Sequence, residues 1–203
     1  MTEVEGDRPV LIVVAGPNGS GKTELTTKIL GHNWADGCEY INPDLIARDK
    51  FGDWNDAEAV MQAAKAATEM RYRLLDERKS IAFETVFSSS EKVDFLRIAK
   101  ERGYFVRIFF VGTDSPEINA SRVARRVLEG GHDVPIPKII SRYAKSIANL
   151  AEVIAEVDRA YVYDNSIDNK PARLQFRTFE GEVVKIYDQG HEWAVWLYDF
   201  LDV

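Results

Sequence analysis

The chain has 203 residues, 45% hydrophobic and 29% charged, a globular mixture that excludes a disordered polymer. Asp and Glu total 33 against 26 Lys and Arg, and the net charge of −7 argues against an extended nucleic-acid surface. The single cysteine, Cys38, excludes a disulfide within the chain, and three scattered histidines argue against a structural metal.

Val10–Ala15 is an unbroken apolar run, the pattern of a central parallel strand covered on both faces. It is far below the ~20 residues of a membrane span, and residues 1–9 are acidic and polar, so a soluble cytoplasmic protein is expected. A helix is predicted over Lys22–Leu30 and a short strand over 38–41. The longest helix is predicted over 55–78, capped by Asn55 with Glu58 at capping-box spacing and a core-facing band through Val60, Ala64, Ala67, Leu74 and Leu75. A strand over 80–87 leads to a helix that Ser88 and Glu91 would box, ending at Gly103. After a buried strand over 104–111, Ser115-Pro116 marks a helix start, because proline at the first helical position sacrifices no hydrogen bond.

That helix runs to Gly130, another is predicted over 138–157, and a strand over 159–163 follows. Two strand-like runs, 174–179 and 182–187, flank Glu180-Gly181 and predict a hairpin. The alternation predicts an α/β three-layer sandwich with a mostly parallel central sheet. It forms one domain over 1–203, with its motifs in 10–166, a helical lid over 115–157 and the hairpin as an appendage over 172–203.

Gly16-Pro17-Asn18-Gly19-Ser20-Gly21-Lys22-Thr23 satisfies the G-x-x-x-x-G-K-[ST] pattern between a buried strand and a helix. Glycines let the loop turn its amides, with those of Asn18, Gly19, Ser20 and Gly21, inward around a phosphate, and the helix start adds unpaired amides and a positive dipole end. Lys22 supplies a cation for the β- and γ-phosphates, and Thr23 a hydroxyl for Mg²⁺. With no Asn/Thr-Lys-x-Asp segment to select guanine, ATP is the expected nucleotide.

Motors, switches and kinases share this cradle, so the remaining residues must choose. Asp44, in Asn42-Pro43-Asp44, is either a held general base for an acceptor hydroxyl or the cap of the next helix. Glu84 follows the apolar Ile81-Ala82-Phe83 and emerges at or near a sheet edge beside the phosphates, or else is a surface carboxylate. Arg122, Arg125 and Arg126 crowd one helix, with Arg142 on the next. Like charges this close require an anion or an acidic partner, and Glu129 alone compensates thinly.

Together these segments resemble the zeta toxin-like P-loop kinases, in their short stand-alone branch. Besides the cradle and Asn42-Pro43-Asp44, the resemblance rests on the 83–88 run Phe-Glu-Thr-Val-Phe-Ser, the 110–117 run, Arg126-Val127 and the 130–135 run. Arg142-Tyr143, Ser146, Asn149-Leu150 and Tyr163-Asp164-Asn165-Ser166 complete it. The resemblance implies ATP-dependent transfer to the sugar hydroxyl of UDP-N-acetylglucosamine. Lys22 and Thr23 would serve ATP and Mg²⁺, Asp44 would be the general base, and Arg126 and Arg142 would clamp the moving phosphoryl group. Glu84 and Thr85, with Arg122 one turn before Arg126, would hold the acceptor. A separate antitoxin chain is the implied partner. The alternatives are a kinase of a different hydroxyl compound (nucleotide, antibiotic or sugar) and a nucleotide-binding regulatory ATPase or interaction module.

Overall fold

The computed structural model describes residues 8–51, 56–131, 133–188, 190–197 and 201. Among the described residues, seven strands form one sheet: β1 (Val10–Ala15), β2 (Glu39–Ile41), β3 (Ile81–Thr85), β4 (Phe105–Gly112), β5 (Arg159–Asp164), β6 (Arg173–Phe179) and β7 (Glu182–Ile186). Their order is β2-β3-β1-β4-β5-β6-β7, parallel through β5 and antiparallel beyond it. The helices are α1 (Lys22–Leu30), α2 (Pro43–Ile46), α3 (Ala57–Asp76), α4 (Ser90–Glu101), α5 (Pro116–Leu128), α6 (Ile136–Val153) and α7 (Glu192–Trp196). One 3₁₀ turn, Asn33–Ala35, follows α1, and a wider helical turn, Ala47–Phe51, follows α2.

The two faces of β1 show why its sequence has no polar side. Leu11, Val13 and Ala15 join the core beneath α3, α4 and α6, while Ile12 and Val14 join Leu25 and Ile29 of α1 on the opposite face. Side chains alternate across a strand, so an apolar layer on each face demands a continuous apolar run. Cys38 is half-buried, and desolvation pushes its thiol up to about 11, the behaviour of an inert structural thiol.

The expected elements are present with shifted ends. Asn55 lies outside the described residues, and Asp56 caps α3, its carboxylate accepting from Ala59 N at 2.7 Å. The predicted Ser88–Glu91 box does not form: Ser89 is the N-cap, with no side-chain bond, and Glu91 turns to Arg71 and Lys92 instead. Asn42, rather than Asp44, caps α2. Glu84 lies at the carboxyl end of an interior strand, since β3 runs between β2 and β1.

The two helices of the segment expected as a lid, 115–157, pack differently. Helix α6 buries Ile147, Leu150, Ala151 and Val153 in the main core, whereas α5 meets it through a separate small cluster of Val123, Val134 and Ile139. The C-terminal hairpin extends the sheet as expected, but α7 then returns to the core. Trp193 is 8% exposed, its ring fills the space beside Gly112, and its Nε1 donates to Asp164 Oδ2 at 2.9 Å. His191 lies beside it, with Nδ1 2.7 Å from Asp114 Oδ1 and Nε2 3.3 Å from Asp164 Oδ1. Trp34 forms an aromatic wall with Phe109 and Tyr161, Trp196 is exposed, and Trp54 and His132 lie outside the described residues.

Candidate active site

The loop between β1 and α1 closes at the carboxyl end of the sheet. Two of its glycines are dictated by backbone. At Gly16 (φ 147°) a Cβ would stand 2.2 Å from the Val111 carbonyl oxygen, and at Gly19 (φ 77°) 2.5 Å from that of Asn119. Two asparagines hold the loop from outside: Asn119 of α5, fully buried, donates to the Asn18 carbonyl at 2.7 Å, and Asn165 beyond β5 donates to the Ser20 carbonyl at 2.8 Å. Arg142 of α6 reaches the same loop, donating to Asn18 Oδ1 at 3.3 Å.

Lys22 is buried, and its ammonium donates to the Pro17 carbonyl at 2.9 Å. Burial lowers its proton affinity; Glu84 and Asp44 oppose that, while Arg126 and Arg142 add to it. These are the charges the lysine senses, and all four belong to residues singled out in the sequence. The Glu84 carboxylate faces α1: Oε2 accepts from the Thr26 hydroxyl at 2.8 Å, and Oε1 lies 3.5 Å from the Thr23 hydroxyl. A carboxylate beside the loop threonine is a hard-oxygen donor set suited to Mg²⁺.

Asp44 occupies the second position of α2, which Pro43 opens. Asn42 Oδ1 accepts from its amide at 2.9 Å, and Asn42 Nδ2 in turn donates to the Tyr40 hydroxyl at 3.1 Å. Burial pushes that phenol up to about 12.

A cleft of about 600 Å³ unites these groups: Lys22, Thr23, Asp44, Glu84, Arg126 and Arg142 all line it. Thr85 and Arg122 line it too. Its far wall is the segment 85–89 after β3, where the buried Phe87 is held at φ 60°, a left-handed conformation costing of order 1–3 kcal/mol in a bulky residue. The segment is tied down by α6, with the Ser146 hydroxyl against the Val86 carbonyl and Asn149 Nδ2 donating to the Phe87 carbonyl at 2.9 Å.

Arg122 has a second allegiance. Its Nε donates to Asp168 Oδ1 at 2.8 Å and its Nη1 to the Asn165 carbonyl at 2.7 Å, while Arg125 Nη2 donates to Asp168 Oδ2 at 3.1 Å. Asp168 is therefore the acidic partner the arginine cluster required, and the two guanidiniums hold its carboxyl below the usual range. Sequence reasoning missed it because it lies in the loop after β5; the surplus of arginines was the only signal. A hollow of about 540 Å³, lined by Gly21, Arg122 and Asp168 among others, opens on this outer side of the loop. Asn119 and Asn165 were also missed as supports, since nothing in the spacing shows which loop they reach.

A parallel β2-β3-β1-β4-β5 sheet, a glycine loop from β1 into α1 and a carboxylate ending β3 define a P-loop kinase fold. The family model described as zeta toxin matches residues 1–176, and the chain belongs to the zeta toxin family. The fold is shared with the AvrRxo1-ORF1:AvrRxo1-ORF2 complex solved with ATP, 20% identical with a TM-score of 0.68 over 97% of this chain and 64% of that one. This chain thus spans just under two thirds of that relative. A chain of the PezAT toxin-antitoxin system of Streptococcus pneumoniae is 16% identical, with a TM-score of 0.57 over 82% of this chain and 71% of that one. An uncharacterized Haemophilus influenzae protein is 27% identical over 132 residues, 65% of this chain and 91% of its own. Among the described residues, no helix is long and apolar enough to cross a membrane.

Proposed function

We propose that the chain is an ATP-dependent, Mg²⁺-requiring kinase that phosphorylates a hydroxyl group of a small molecule. The observation that carries this reading is the single cleft in which Lys22, Asp44, Arg126 and Arg142 meet beside the phosphate loop. Asp44 is held on its own capped turn in that cleft, as a base for an acceptor hydroxyl requires.

The loop amides and Lys22 hold the β- and γ-phosphates. When bound, Mg²⁺ neutralises charge across those phosphates. Thr23 would bind the ion, and Glu84, turned toward Thr23 and Thr26, would help to hold it. We therefore assign Glu84 to the metal rather than to the acceptor. Asp44 accepts the proton of the acceptor hydroxyl as that oxygen bonds to the γ-phosphorus. The bond from phosphorus to the bridging oxygen breaks, and ADP leaves with that electron pair. Arg126 and Arg142 donate to the equatorial oxygens while charge spreads over them. Arg122, bound to Asp168, belongs with the nucleoside side, where the outer hollow receives the base and ribose.

UDP-N-acetylglucosamine, by family resemblance, is the first acceptor to try, and an antitoxin on a separate chain is the partner to seek, since the PezAT relative comes from such a system. The test is purified protein with ATP, Mg²⁺ and a panel of hydroxyl compounds, read by mass spectrometry for an added phosphate. Transfer that Asp44→Asn abolishes while ATP still binds is the expected result. ATP binding with no acceptor modified by the wild type would favour a regulatory ATPase.

A further inference from the structure

The wall of the cleft formed by α3 and α4 carries charge that phosphoryl transfer does not use. Val60, Ala64, Ala67 and Arg71 line it at helical spacing along one face of α3, so the lining extends ~16 Å along that helix. It begins apolar and ends on a cation. Arg71 is 3% exposed, its guanidinium 5.1 Å above Phe83 and 5.6 Å above Phe95, and Nη2 donates to Thr68 Oγ1 at 3.0 Å and Glu91 Oε1 at 3.1 Å. Its Nε is buried without a partner. Lys92 of α4 lines the same end and also pairs with Glu91, a residue outside the lining.

Two cations thus face the cleft and share one carboxylate, which leaves a positive charge uncompensated there. An ammonium and a guanidinium held this close are costly unless an anion visits them. Desolvation lowers the proton affinity of Lys92, and Arg71 lowers it further, against the pull of Glu91.

We propose that Arg71 and Lys92 form an anion subsite for the acceptor, which is a hydroxyl compound bearing a phosphate, diphosphate or carboxylate group. The acceptor spans the apolar stretch of α3, with its hydroxyl at Asp44 and its anion at this end. The assignment rests on the kinase reading for the hydroxyl, but the anion subsite can be tested separately.

With a non-hydrolysable ATP analogue saturating the loop, UDP-N-acetylglucosamine, glucose 6-phosphate and glucuronate are titrated calorimetrically, beside uncharged N-acetylglucosamine and glucose. At least one anionic compound should bind ~10-fold or more tightly than its neutral counterpart. Lys92→Gln should weaken that binding ~10-fold without changing affinity for the ATP analogue, and Lys92→Arg should restore most of it, as expected for a charge-assisted hydrogen bond. Which of the three compounds responds separates phosphate from carboxylate. Equal binding of charged and neutral members, no binding by any anionic compound, or a Lys92→Gln protein that binds like wild type would overturn the subsite. Lys92-dependent binding of an anion that never gains a phosphate from ATP would instead sink the kinase reading and leave the subsite standing.

Discussion

The two ends of the cleft are built from different material. At the phosphate end the contacts come from backbone: a loop shaped by glycines, held through its Asn18 and Ser20 carbonyls by Asn119 and Asn165, with Lys22 bonded to the Pro17 carbonyl. At the end proposed for the acceptor the walls are side chains from α3 and α4 and one strained segment anchored by α6. The first end tolerates little change because its geometry is the main chain's own. The second can be rebuilt one side chain at a time, which is how one fold comes to serve many acceptors.

That contrast can be broken most sharply at the groups between the ends. Asp44→Asn should lower kcat by ~10²–10⁴ with ATP affinity unchanged, because only proton acceptance is removed. Lys22→Ala should reduce kcat/KM for ATP by ~10²–10³ while acceptor binding persists, measured by steady-state kinetics and calorimetry. Gly19→Ala should lose nucleotide binding nearly as completely, since its new methyl group would press on the Asn119 carbonyl at a positive φ. Wild-type affinity in that variant would mean the loop is not shaped by its backbone.

The acceptor end should respond more gently. Asn149→Ala removes the donor to the Phe87 carbonyl, at a cost of ~1–3 kcal/mol. The melting temperature should fall by about 2–4 °C per kcal/mol. KM for the acceptor should rise with that for ATP unaffected. Smallest of all is Asp168→Asn at the arginine cluster. The folded-state carboxyl is held below its unfolded value, so its stabilisation is present above the unfolded value near pH 4 and is lost as pH falls through the folded one. The stability gap between wild type and variant should therefore close on acidification, as followed by denaturation at a series of pH values.

What was legible in the sequence follows the same division. The β1–loop–α1 unit could be read residue by residue, because Gly16, Gly19, Gly21 and Lys22 are demanded by local geometry. Asp44 could be read because Pro43 and Asn42 fix its turn locally. Glu84 was visible as a residue but not in its direction, since only the β1–β3 pairing turns it toward Thr23. Arg71 and Lys92 were not legible, and Asp168 was foreshadowed only by the surplus of arginines. Arg71 and Asp168 meet partners across folds of the chain that no local pattern encodes, and Glu91 satisfied a capping-box spacing while serving Arg71 and its neighbour Lys92 instead. Helix α7 is only five residues long, too short to show a period.

Trp193 gives that last helix a meaning for where the molecule ends as a cooperative unit. The family resemblance covers residues 1–176 and contains every motif. The hollow over Gly112 is nevertheless filled from seventeen residues beyond it, by an indole that caps Phe110 and satisfies Asp164. A polypeptide cut at the border of homology would carry the whole catalytic vocabulary and leave a wet gap behind β4 and β5, beside the two strands that position Asn119 and Asn165. Ancestry and packing draw different borders on this chain, because Trp193, Leu197 and Leu201 all join the main core beyond residue 176.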